Sequence, residues 1–125
     1  MRRAIIALAM VLAASPANAQ NNSLVSSGFA GAGVKTCAEF LRDYDPEAEI
    51  RSIAVLLYLS WAQGLMSGLN VGYDAANKPM KDLREWSFLG QVTHLETFCN
   101  NNPSKPYAEA VYDLFNSLPT LAERN

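Results

Sequence analysis

Two cysteines, one histidine and a scatter of carboxylates are the residues of this 125-residue chain that could do chemistry. His94 stands between Thr93 and Leu95, and no second histidine exists to share a metal or relay a proton. Cys37 and Cys99 lie far apart and form no C-x-x-C pair, so a zinc-type site has too few spaced ligands. Serine is frequent, yet no G-x-S-x-G elbow occurs, and no glycine-rich loop follows a strand to cradle phosphate. Asp43, Asp45, Glu47 and Glu49 suit helix ends better than an acid–base dyad. The expectation is a chain with no catalytic residue, no metal and no cofactor, which works by binding rather than as an enzyme. Ten basic against twelve acidic residues give no electrostatic footprint for nucleic acid.

The cysteines acquire a role from the first nineteen residues. Met1-Arg2-Arg3 is a basic start, Ala4 to Ala14 an uncharged apolar run, and Ala17-Asn18-Ala19 an A-x-A site before Gln20. That order is a cleaved export signal, with the cut between Ala19 and Gln20, and the apolar run is too short for a membrane anchor. Removing Arg2 and Arg3 leaves eight basic against twelve acidic residues, a net charge of −4. Export places both cysteines in an oxidising compartment, the bacterial periplasm or beyond, where the expectation is a disulfide. Two buried free thiols, or a share in a metal site, are the alternatives. A Cys37–Cys99 bridge would close a loop of about sixty residues and contribute roughly 4 kcal/mol in the chain-entropy model.

The elements that must position these residues read as helices throughout. Gln20–Lys35, rich in Asn, Ser, Gly and Ala, has no amphipathic period and is expected to be a flexible leader, with Phe29 and Val34 able to dock. Thr36-Cys37-Ala38-Glu39 is a capping box opening a short helix with Cys37, Phe40, Leu41 and Tyr44 on one face. Asp45-Pro46 starts a second, long helix reaching about Tyr73. Asp82, with Glu85 three residues on, signals a third, whose apolar face is Phe88, Val92, Leu95 and Cys99. Ser104 and Pro106 open the last helix, with Tyr107, Val111, Leu114, Phe115 and Leu118 as its buried stripe, and Pro119 stops it. No segment alternates with period two. The expected fold is all-α: a small four-helix domain over residues 36–119, with one disulfide linking the first and third helices and a tail at 120–125.

The second helix carries no charge from Ser52 to Tyr73. Length alone would allow a membrane span, but its serines, Gln63, Asn70 and three glycines make it a poor insertion sequence. The expectation is a central helix buried on most sides, with no span in the mature chain. Gly64, Gly68 and Gly72 recur every four residues, with Trp61 three residues before the first. Small residues at that spacing admit another backbone closely. They mark either helix packing within the domain or a groove or dimer seam beside Trp61.

Thr36-Cys37-Ala38-Glu39-Phe40-Leu41 resembles the T-C-x-x-F-[LI] opening of the HdeA/HdeB family of periplasmic acid-stress chaperones. Phe98-Cys99-Asn100-Asn101-Asn102-Pro103, followed by an amphipathic helix, is similar to that family's second cysteine, its C-x-x-x-P and its last helix. The resemblance runs from about Thr36 to Leu118. It implies an ATP-independent chaperone of the Gram-negative periplasm that binds unfolding client proteins. Trp61, Gly64, Leu65, Gly68 and Leu69 would form the client or homodimer surface. The Trp-x-x-Gly-x-x-x-Gly helix between two cysteine-bearing helices is similar also to small periplasmic immunity proteins that neutralise type VI secretion effectors. Its implied partner is one cognate effector. A purely structural envelope role is the third class.

Overall fold

The computed structural model describes residues 28–44 and 51–121. The export signal, the Ala19–Gln20 cut, most of the leader, the Asp45-Pro46 helix start and the last four residues lie outside them. Four α-helices build the described fold: α1 (Cys37–Asp43), α2 (Arg51–Ala75), α3 (Phe88–Asn101) and α4 (Tyr107–Ser117), preceded by a 3-10 turn at Gly31–Val34. The fold is all-α, and the Cys37–Cys99 disulfide joins α1 to α3.

Local chemistry sets the helix ends. The Thr36 hydroxyl accepts from the Glu39 amide at 3.2 Å while the Glu39 carboxylate accepts from the Thr36 amide at 2.7 Å, the capping box that starts α1. α2 ends at Asn77, whose φ of 53° is a left-handed conformation that asparagine tolerates. The Lys78 amide there donates to the Tyr73 carbonyl and the Asn77 amide to that of Asp74, a Schellman closure.

α3 begins later than the sequence suggests. Asp82 caps only a turn, accepting from the Arg84 amide at 3.0 Å, and the helix starts at Phe88 with the Ser87 hydroxyl accepting from Gly90. The buried Gln91 amide holds the intervening turns open by donating to the carbonyls of Leu83 and Trp86. Phe88 accordingly lies in the first turn and is exposed, whereas Val92, Leu95 and Cys99 are buried. Before α4 it is Pro106 rather than Ser104 that occupies the cap position, with no side-chain cap bond.

The central helix is α4, not α2. α4 touches all three other helices, and Tyr107, Ala108, Ala110, Val111, Leu114 and Phe115 are buried along it. The expectation that α2 is buried on most sides is therefore corrected. Between Ile53 and Ala75 only Val55, Tyr58, Leu59, Ala62 and Met66 are buried. They meet Phe40, Tyr107, Phe115 and the disulfide in one core cluster. This α2 segment is long and apolar enough to cross a membrane, yet its inner face builds the core of the domain.

Two polar side chains explain themselves by what they fasten. Asn70 holds the chain after α2 by both ends of its amide, donating to the Lys81 carbonyl and accepting from the Lys81 amide, each at 2.8 Å. Lys81 in turn donates from Nζ to the carbonyls of Asn116 and Leu118, satisfying the open end of α4. Residues 120 and 121 are pinned as well, by the Lys81–Thr120 bridge and a bond from the Leu121 amide to Met80, so only the end of the expected tail lies beyond the described fold.

Candidate functional site

Among the described residues the reactive side chains do not converge. Both cysteines are in the disulfide. His94 Nε2 meets the Asp113 carboxylate at 2.8 Å, tying α3 to α4 beneath the Trp86 ring. Among the described residues no three His, Cys, Asp or Glu side chains are grouped as a metal would need. The Tyr58 hydroxyl donates to Asp43 at 2.8 Å, and burial together with that carboxylate pushes the phenol's pKa well above its usual value. The described fold also offers surface to a partner.

That surface is α2, and it has two parts. The five residues singled out from the sequence divide between them. Gly64 and Gly68, with Gly72, lie on the outer face, where a Cβ would meet nothing within 4 Å. Packing of the glycine stripe within the domain is thus excluded among the described residues. Leu65 and Leu69 lean inward as half-buried flanks of the core. Trp61 sits at the boundary, and the chain's own N-terminal segment covers it.

The outer face is the feature the sequence reading missed. Ile53, Leu56, Leu57 and Val71 are 61%, 49%, 66% and 70% exposed, on a face without a single charge between Ser52 and Tyr73. The signal for it was present. An inward stripe at Val55, Leu59, Ala62 and Met66 is enough to bury one side of a helix, which leaves the remaining apolar positions to face out.

The cover over Trp61 comes from the expected leader, whose described part, Gly28–Lys35, is docked. The Trp61 indole donates to the Ala30 carbonyl at 2.9 Å, and the Phe29 ring meets Trp61 edge-on at 5.9 Å and Tyr112 at 6.2 Å. Gly31 takes a φ of 68°, and Gly33 lies so close to Trp61 that a Cβ would fall 2.0 Å from the indole. Only glycine fits there. An open apolar groove flanks the segment on each side, one of about 480 Å³ against Ala54, Leu57 and Tyr58, the other of about 430 Å³ against Gly64 and Leu65.

Fold and surface together define a small helical domain with one disulfide and an uncharged apolar helix face turned outward. Comparison of the chain with protein-family models, with curated proteins and with solved structures finds no match.

Proposed function

We propose that the chain is a small non-enzymatic protein-binding protein of an oxidising extracytoplasmic compartment, the periplasm of a Gram-negative bacterium. Its task in this reading is to hold apolar segments of unfolding proteins, without ATP, under acid stress. The outer face of α2 supports this most. A surface helix ordinarily carries charge on its outer side, and contiguous exposed apolar surface marks a contact site. Here Ile53, Leu56, Leu57 and Val71 stand where charges would be expected.

The same face suits work in acid because nothing on it titrates. Protonating twelve carboxylates and His94 takes the mature chain from −4 to about +9. The rest of the molecule then repels its like and keeps a bound client in solution, while the apolar face is unchanged. The disulfide does not titrate and holds α1 to α3 throughout.

One observation favours a second reading. Among the described residues nothing covers the outer face in the folded state, so no acid is needed to prepare it for a dedicated partner such as the effector of an immunity pair. A homodimer across this face is compatible with either. The two separate in binding to a reduced, carboxymethylated client at about pH 7 and about pH 3. The chaperone reading expects capture of the client in acid, through the face that the change of pH leaves as it is. Absence of capture in acid, with one partner bound tightly at neutral pH, overturns it in favour of the immunity reading.

A further inference from the structure

The segment over Trp61 lies flat on the indole. From Phe29 to Val34 its residues are Phe, Ala, Gly, Ala, Gly and Val, and Val34 is 47% exposed. Of its apolar side chains, Phe29 alone stacks on the aromatic shelf. The segment is one chain thick: Gly33 is buried against the indole, while Ala30 and Gly31 face water. Docking so glycine-rich a stretch costs much backbone entropy, so its local opening takes less than unfolding of the domain. At its far end it is fixed by the Tyr107 amide donating to the Lys35 carbonyl at 2.7 Å, which sets where opening stops.

Beneath it lies Trp61, with a groove on each side. The two flanking grooves share Trp61, and the segment lines both, with Lys35 and Asp43 also lining the first. Lifting it joins them into one apolar trough along α2 from Leu57 to Leu65, with an indole N–H freed to donate at its centre.

We infer that Gly28–Val34 is a self-docked strap occupying a peptide-binding trough over Trp61. The outside occupant is an extended apolar segment of an unfolding protein with an aromatic side chain among small residues. That segment takes the strap's place: its aromatic ring on Trp61 and Tyr112, its carbonyl on the indole N–H. This rests on the protein-binding reading above and adds to it a second surface, with a built-in competitor that lowers apparent affinity by the fraction of molecules strapped.

The test uses the mature, disulfide-bonded chain carrying Trp86→Phe, so that Trp61 alone emits. Gly33→Val cannot coexist with the seated indole and expels the strap; Phe29→Ser weakens it without adding volume; Gly28→Ala, with open space around it, is the control. Each is checked for helix content, then read by Trp61 emission. Each is also assayed for suppression of aggregation of malate dehydrogenase diluted out of guanidinium at about pH 7. Gly33→Val and Phe29→Ser are expected to red-shift Trp61 and suppress aggregation about threefold better than the parent or Gly28→Ala, as for a site freed from partial occlusion. Unshifted emission in both variants overturns the strap. A red shift with no gain in suppression overturns the trough as a binding site, and if parent and variants then suppress equally, the protein-binding reading still stands. No suppression by any form, at neutral pH or in acid, removes that reading as well.

Discussion

The hydroxyl of Tyr107, at the start of α4, donates to the backbone carbonyl of Tyr58 in α2 at 3.1 Å, and the Tyr58 hydroxyl passes on to Asp43 of α1 at 2.8 Å. Two phenols thereby tie three helices into one aromatic centre, with the Phe40 ring about 5 Å from both. The arrangement needs both phenols neutral. Burial pushes the pKa of each well above its ordinary value of 10.0, and the Asp43 carboxylate adds to the effect at Tyr58.

Alkali should therefore unfold the domain through these residues. A phenol whose folded pKa is raised contributes in full below the unfolded value, and the contribution drains away as pH rises past about 10. Tyrosinate absorbance from Tyr58 and Tyr107 is expected to appear together with loss of helical circular dichroism. Ionisation of both in a molecule that keeps its helices would contradict this. Tyr107→Phe removes one donor but leaves the Tyr58 carbonyl its helical partner, so its cost is expected to be about 1 kcal/mol in urea unfolding.

The disulfide closes a loop spanning 62 positions between two fully buried sulfurs. Reduction is expected to remove roughly 4 kcal/mol, most or all of the margin of so small a domain. Thermal melts with and without a thiol reductant check this. A melting point unmoved by complete reduction would contradict it.

Asn70→Ala strips both polar groups of the Lys81 backbone of their partners. The expected loss is about 2 kcal/mol. Ser67→Ala, three residues earlier and solvent-facing, removes only a bond to the Gln63 carbonyl and is expected to stay within about 0.5 kcal/mol of the parent. Chemical denaturation of the two variants side by side decides the point; equal losses would deny Asn70 its role.

Acid acts on the start of α1. The Thr36 amide, and to a lesser degree its hydroxyl and Lys35, hold the Glu39 carboxyl below its usual pKa. A depressed carboxylate contributes above its unfolded pKa and loses that contribution as pH falls through its folded one. Glu39→Gln should thus be less stable than the parent at about pH 7 and equal to it at about pH 3, measured as urea midpoints. A difference that persists in acid would place the effect elsewhere.

What was legible in the sequence was whatever local chemistry decides. The Thr36–Glu39 box, the buried stripe of α4 and the Val92, Leu95 and Cys99 part of the α3 face are periodic or capped, and the structure follows them, Phe88 excepted. Asp82 misled because its signature also fits an Asx turn, and only Gln91, reaching back across the gap to Leu83 and Trp86, selects the turn. The uncharged run of α2 misled for a different reason. Apolar composition does not say how many neighbours a helix has, and α4 took the central place. Trp61 and the glycines of α2 stand out in the sequence by their spacing, and the structure places Trp61 under the Gly28–Lys35 segment and the glycines on the outer face. That Gly33, in a stretch with no period, is shaped to the Trp61 indole is a long-range fit no local pattern encodes.

The central claim is that the outer face of α2 holds apolar segments of other proteins. Leu57→Lys with Val71→Lys tests it most directly, since both positions are exposed and lysine stays charged in acid where glutamate would not. Parent and variant, matched for melting temperature, would be mixed with an acid-labile client and light scattering followed at about pH 3. Suppression by the parent and its loss, by about tenfold in the concentration required, in the double variant is the predicted result. Equal suppression by both, or none by the parent, would contradict the claim.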